Sequence, residues 1–364
     1  MARPLRYILV GLLWGAVAVY VGYTAARVRQ HRKTLVVQRL DIEVTDSSAQ
    51  RQLVTGSTIR RWIARSGLKA TGAAAAEVDL QAIEGMILRN GFVATASASI
   101  DYEGVLHIEV SQRQPLVRLL FDGYNAYATA DGYFFAAPRS SALYVPVMTG
   151  TYVPPVPPSY SGSVEQYIDA QIAASNERIA EIEREKYPLY REELQNDEDT
   201  KALRRMFIKK RWFESRENFD RRVRELREKK ARLRRQYRYT ARVLQEKIDR
   251  ITVRQNAERE KQKKLRKNCE DFLKLLNFVQ FVETDDFWCS EIVQIVVSKG
   301  HDGAPEIELV PRVGNHTVLF GPPDGAEEKF DKLMTFYRHG LRNIGWEEYR
   351  TINVKYKDQV VCTK

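Results

Sequence analysis

The sequence predicts an α+β chain: a single N-terminal transmembrane helix, a β-α-α-β-β module, then a β domain interrupted by a long, coiled-coil-like helical hairpin. Three observations predict it. Tyr7 to Ala26 carries no charge over about 20 residues, enough at ~1.5 Å per residue to cross a ~30 Å hydrocarbon layer, and every later apolar run is cut by Lys, Arg, Asp or Glu. Alternating apolar residues and helix-cap signals then follow one another in β-α-α-β-β order. Finally, the whole net charge of +11 falls between Ser163 and Asn268, which holds 31 Lys and Arg against 20 Asp and Glu. Outside that stretch the charges balance, as in an ordinary globular domain.

For the first element, Arg3 and Arg6 before the span and Thr24-Ala25-Ala26 at its end also fit a cleaved signal peptide. Three features favour an anchor instead. The apolar core exceeds the ~7–15 residues of a signal h-region, Tyr20 and Tyr23 suit an interfacial belt, and Arg27 and Arg29 would directly follow the cleavage site. Arg27, Arg29, Arg32 and Lys33 outnumber Arg3 and Arg6, so the positive-inside count taken alone leaves the large part of the chain in the cytoplasm.

After a linker at 27–36, Leu40, Ile42 and Val44 alternate with Asp41 and Glu43, the signature of a half-buried strand. Thr55 to Thr58 supplies N-cap chemistry for a helix carrying Ile59, Trp62 and Ile63, which Gly67 is placed to end. Asp79 caps a second helix with Leu80, Ile83, Ile87 and Leu88, closing at Asn90-Gly91. Val93 to Ile100 and Leu106 to Val110 are strands joined across Glu103-Gly104. The module at 37–115 is therefore a three-stranded sheet with two helices on one face.

From Leu116 the pattern stays β-rich, with strands at Val117 to Phe121, Ala126 to Ala130 and Tyr133 to Ala136. Val153 to Pro158 (VPPVPP) suits only a stiff linker or an element boundary. The basic stretch at 159–268 then reads as two antiparallel helices. The first carries Ile168, Ile172, Ile179 and Ile182, is perturbed or ended by Pro188, and is followed by a polar turn at Asn196 to Thr200. The second carries a heptad-like seam through Phe219, Val223, Leu226, Leu233, Tyr237, Leu244, Ile248 and Ile251, with Lys230 and Thr240 as polar members. Three readings stay open for its cations, which mix with aromatics at Lys209 to Phe213: a solvated helix face, an anionic surface, or nucleic acid. Glu214, Glu217, Glu225 and Glu228 interleave with the arginines and favour internal ion pairs, so no nucleic-acid partner is expected.

Beyond Asn268, Phe272, Leu275, Leu276 and Val279 mark a helix, Glu291 to Val297 and Glu306 to Val310 are strands, and Arg312 to Phe320 holds another. Phe330, Leu333, Met334 and Tyr337 define a helix over Glu327 to Gly340, and Tyr349 to Cys362 reads as one terminal strand. The segment 116–158 has too few strands for a core of its own, so 116–158 and 269–364 are expected to form one split β domain.

No catalytic or cofactor chemistry assembles. Five histidines, at 31, 107, 301, 316 and 339, lie in separate elements without acidic or Cys partners at ligand spacing. There is no P-loop, G-x-S-x-G, G-x-G-x-x-G or S-x-x-K with K-T-G. His316 invites a question, and a strand-turn role is the simpler answer. Cys269, Cys289 and Cys362 read as isolated thiols, with a Cys289–Cys362 bridge open if their strands are neighbours. No enzyme, metal or cofactor is expected.

The span, the module, the junction Val110-Ser111-Gln112-Arg113-Gln114-Pro115-Leu116 and a β domain at the chain's end, in that order, resemble the FtsQ/DivIB cell-division family, whose POTRA domain the module resembles. Ile307 to His316 (IELVPRVGNH) and Ile352 to Cys362 (INVKYKDQVVC) are similar to Bacteroidetes-type members. About 110 residues at 159–268 appear inserted relative to typical members. The resemblance implies a non-enzymatic bitopic scaffold of the divisome, in the cell inner membrane with residues 1–6 cytoplasmic and the body periplasmic. It implies binding of FtsB/FtsL-type partners that links septal peptidoglycan synthesis to division. It also implies that the terminal strand, through Ile352, Val354, Lys355, Tyr356, Lys357 and Val360, is the β-augmentation site, with Lys355 standing where the family has an arginine. The alternatives are a POTRA-containing envelope assembly or chaperone factor, and an anchored polyanion-binding protein acting through the basic hairpin.

Overall fold

A computed structural model describes residues 13–24, 27–28, 35–45, 54–137, 143–301, 303–342, 345–357 and 359–364. Residues 13–24 are helical; the rest of the expected span, 7–12 and 25–26, lies outside the described residues. Among the described residues no helix is long and apolar enough to cross a membrane.

The chain divides into two compact units, 1–163 with 273–364, and 164–272. In the first unit, β1 (Arg39–Thr45), α1 (Gly56–Ser66), α2 (Leu80–Leu88), β2 (Val93–Ile100) and β3 (Val105–Gln112) follow in the expected order. Thr55 Oγ1 accepts from the Thr58 N–H at 3.2 Å, and Gly67 ends α1 at a φ of 72° that a side chain would resist. Asp79 accepts from the Ala82 N–H at 2.9 Å to start α2. The sheet runs β1-β3-β2, with β1 parallel and β2 antiparallel to the central strand. Ile59, Ile63, Ile83 and Ile87 from the helices bury against Leu106, Ile108 and Val110 of β3. Burying each such side chain contributes roughly 1.5–3 kcal/mol, which makes this core a main source of the module's stability.

Ten strands form one further sheet. They are β4 (Val117–Phe121), β5 (Tyr124–Ala128), β6 (Tyr133–Ala136), β7 (Val147–Gly150), β8 (Gly162–Ser163), β9 (Ile292–Lys299), β10 (Pro305–Pro311), β11 (Thr317–Gly321), β12 (Thr351–Asn353) and β13 (Val361–Thr363). Their order is β13-β12-β11-β10-β9-β7-β4-β5-β6-β8. The join is made by β7, parallel to both β4 and β9, with Met148 facing Leu119 on one side and Ile295 on the other. The VPPVPP segment lies against the first half of this sheet, where the Tyr124 hydroxyl donates to the Val156 carbonyl at 2.8 Å.

The second unit is a helical hairpin, and it corrects two expectations. Asn196 to Thr200 is not a turn: α3 (Val164–Arg184) is followed by α4 (Lys186–Arg205), which passes straight through it. Pro188 sits in the first turn of α4, where a missing N–H costs little. The chain reverses at 206–215 instead. The second correction concerns α5 (Arg216–Thr284), one helix of 69 residues that includes the segment expected as a separate helix after Cys269. No Gly or Pro interrupts it.

Every predicted seam residue of α5 from Phe219 to Ile251 turns inward, Leu244 and Ile248 being buried. The seam continues through polar residues that the sequence reading passed over. Gln255 accepts from buried Lys186 and donates to Glu183, Glu258 accepts from Ser175 at 3.3 Å, and Gln262 donates to Asn176 at 2.8 Å. Further along, the Asn196 amide donates to the Tyr237 carbonyl at 3.2 Å, and the Lys230 ammonium donates to the Arg204 carbonyl at 3.3 Å. Each step up one arm meets a step down the other, which fixes an antiparallel register.

Candidate functional site

The C-terminal strands rest on an aromatic platform. α7 (Ala326–Phe336) turns Phe330 and Leu333 inward, and the Phe330 ring lies 4.7 Å from Trp288, 4.8 Å from Phe320 and 5.5 Å from Phe281. Trp288 comes from α6 (Asp286–Glu291), whose cap Asp285 accepts from its N–H at 3.0 Å. Tyr337 follows α7 in a π-helical turn and packs 5.1 Å from Trp346. These rings fix the angle at which the other face of α7 meets the end of the sheet.

That end is not the single strand the sequence suggests. Thr351–Asn353 pairs parallel to β11, the chain then leaves the sheet, and Val361–Thr363 returns antiparallel to β12 as the outermost strand. The physical reason is placement of side chains. Ile352 and Val354 are fully buried, so the strand holds only while both can point into the core, whereas Tyr356, Lys357 and Gln359 are exposed. Among the described residues β13 has a neighbour on one side alone.

The six residues expected to contact a partner therefore separate. Ile352 and Val354 belong to the core and present nothing. Lys355 is already committed: its ammonium lies 2.6 Å from Glu306 Oε2, and its stem crosses Gly321, where a Cβ would come within 2.8 Å of Lys355 Cγ. Tyr356 is 51% exposed, Lys357 is exposed and Val360, next to β13, is half-buried.

Lys332 of α7 holds this segment in place. Its ammonium donates to the Val354 carbonyl at 3.1 Å and to that of Tyr356. Between α7 and the segment runs an open cleft of about 880 Å³, with Phe336, His339, Lys355, Lys357 and Val360 among its walls. Lys329 donates to the Pro322 carbonyl at 2.6 Å and sits 5.0 Å from the Phe320 ring centre. Burial lowers its ammonium below the ordinary lysine range, with Lys332 and Lys355 acting in the same sense and Asp324 against them. The arrangement can accept an added strand at its edge and a side-chain-rich segment in its cleft.

His316, the histidine questioned on sequence, is buried, with Nε2 3.0 Å from the Tyr337 hydroxyl, and burial lowers its pKa. It is a core histidine that stays neutral. Cys269 is buried, and Cys289 lies on α6 and Cys362 on β13. Among the described residues no cluster of His, Cys, Asp and Glu suits a metal ion. The break of the terminal strand into two, with Val361–Thr363 as a separate antiparallel strand, escaped the sequence reading, although the polar residues ahead of it were the available signal.

A β-α-α-β-β module followed by a mixed sheet is the order of a POTRA-like module joined to a second α+β domain. The comparisons with known proteins agree at both ends of the chain: a POTRA-like domain matches residues 35–111, and the model described as FtsQ/DivIB, C-terminal related, matches residues 229–363. The chain belongs to the FtsQ/DivIB family. Membership assigns it to cell division, among scaffolds that are generally not enzymes. The second match begins within α5, so residues 229–268, set aside on sequence as insertion, lie inside the family region. No curated protein matches the sequence.

Proposed function

We propose that this protein is a non-enzymatic, bitopic scaffold of the bacterial divisome that binds FtsB/FtsL-type partners at its C-terminal edge and links septal peptidoglycan synthesis to division. The observation that carries the reading is the geometry of β13: a last strand with one neighbour, flanked by exposed Tyr356 and Lys357 and by a cleft against α7. An extended partner segment would gain main-chain hydrogen bonds from the edge, and Tyr356, Lys357 and Val360 would select its side chains. Ile352 and Val354 act from below, by holding the strand to the core. The charge-free stretch Tyr7 to Ala26 would anchor the chain as a single-pass type II protein of the inner membrane, with the body periplasmic, near the septum.

Binding of the full chain in nanodiscs to the periplasmic segments of FtsB and FtsL from the same organism tests this. Wild type should bind, and both Tyr356→Glu and Cys362→Pro, which disrupts the outermost strand, should lose it. Equal binding by both variants would refute the edge assignment.

A further inference from the structure

We propose that the turn of the helical hairpin is a docking surface for an anionic phospholipid bilayer, with Phe207, Trp212 and Phe213 entering the headgroup region and the neighbouring cations meeting its phosphates. Three of the chain's most exposed aromatic rings are here: Phe207 is 71% exposed, Trp212 97% and Phe213 98%. Lys201 to Phe213 holds six cations, Lys201, Arg204, Arg205, Lys209, Lys210 and Arg211, and no acid.

The rings are held out by a built turn. The Glu214 carboxylate, 7% exposed, accepts from the Arg211 N–H at 3.0 Å and from the Arg222 guanidinium at 2.6 and 2.8 Å. The Glu214 N–H donates back to the Arg211 carbonyl at 3.2 Å, closing a turn whose two central residues are Trp212 and Phe213. Their rings stand perpendicular with centres 6.4 Å apart, and the Lys209 ammonium lies 5.6 Å from the Phe207 ring centre. The acid that could neutralise the turn is thus spent on fixing its shape.

Charge along the arms separates this surface from a nucleic-acid groove. By the register that pairs Asn196 with Tyr237 and Arg204 with Lys230, the cations Arg234, Arg235, Arg238 and Arg242 lie opposite the acidic stretch Glu192 to Asp199 of α4. Lys201 to Phe213 has no acid of its own, and Glu214, the first acid after it, is committed to the turn. A phosphate backbone tracked by a protein calls for a continuous stripe, whereas an end-on cap of aromatics and cations suits a flat interface. Trp and Phe beside Lys and Arg is the composition favoured at the headgroup level, where an indole keeps its N–H wet and buries its ring.

The test uses the full chain in zwitterionic nanodiscs, mixed with vesicles of phosphatidylcholine alone or with phosphatidylglycerol and separated by flotation. The chain should float with the anionic vesicles, weakly with the zwitterionic ones, and lose association as salt rises. Trp212→Ser with Phe213→Ser should lower the partition coefficient by about tenfold or more at unchanged helix content, because both rings would leave the interface. An unchanged partition in that variant, or equal flotation with both vesicle types, would overturn the proposal. So would tight binding of a single-stranded oligonucleotide that the serine variant retains, since the surface would then be a polyanion site.

Discussion

Lys332→Met keeps the methylene stem on α7 and removes the ammonium that spans the Val354 and Tyr356 carbonyls. A hydrogen bond from a charged donor contributes about 1.5–3 kcal/mol when buried. One of these bonds is part-buried and the other exposed, so water replaces much of the second. The pair together is then worth about 2 kcal/mol, a factor of about 30 in the equilibrium between the seated and the released segment. The perturbation is local, because Phe330 and Leu333 keep α7 on its platform. Native-state hydrogen exchange reads it directly. The Val354 N–H is bonded to the Leu319 carbonyl at 3.1 Å and the Lys355 N–H to Asn353 Oδ1 at 3.0 Å, so both report release of the segment. Exchange at these two amides should accelerate about 30-fold while β9 and β10 stay as protected as before, and partner affinity should fall by up to the same factor. Unchanged exchange at Val354 and Lys355, or equal acceleration across β9 to β11, would refute the clamp.

Three further outcomes follow from the same geometry. Phe330→Ala should cost about 3–5 kcal/mol in denaturant unfolding, since the ring is fully enclosed by Phe278, Phe281, Trp288 and Phe320; a loss below 1 kcal/mol would show that the platform collapses onto the gap. Leu244→Ala, at a buried seam position, should cost about 2–5 kcal/mol and lower the melting of the helical signal while the near-ultraviolet spectrum of the sheet unit is retained; a single shifted transition in both signals would contradict it. His107 lies 3.1 Å from Asp101 and 3.4 Å from Asp41, and the Asp101 hydrogen bond raises its pKa despite some desolvation. Folding therefore favours the imidazolium: the contribution is complete below the ordinary histidine value and is lost as pH rises through the raised one. NMR titration should show that raised value, and His107→Gln should remove the corresponding decline in module stability at higher pH.

Much of the fold was legible because local chemistry agreed with tertiary need. Thr55, Gly67 and Asp79 are caps in the structure as in the sequence, and Leu40, Ile42 and Val44 alternate on a strand that pairs with β3 throughout. Where the two disagreed, the reading failed. Val147–Gly150 has neither length nor alternation, and it is a strand only because β4 and β9 pair with it on either side. Asn196 to Thr200 has the composition of a turn, yet Asn196 is buried and bonds across the hairpin. The reversal falls at residues 206–215, where the aromatics are exposed to an extent that periodicity cannot register. In the candidate site, Tyr356 is an expectation from resemblance, while the commitment of Lys355 to Glu306 depends on a contact between residues 49 apart in sequence.

The parallel pairing of β7 with β9 also orders events in time. Val147 and Gln294 are neighbours in the sheet, so its two halves cannot join until nearly the whole chain has been made. Until then β7 carries an open strand edge, the species most prone to pair with the wrong chain. The intervening hairpin shortens this delay. Its two ends come together locally, with Cys269 near Glu165 and Asp169, so the loop that must close is far shorter than the sequence separation. Each halving of that effective loop lowers the closure cost by about 0.6 kcal/mol. A hairpin that folds early thus delivers β9 to a sheet already waiting for it, and damage to its seam would show first as slow or aggregating assembly of the sheet it brackets.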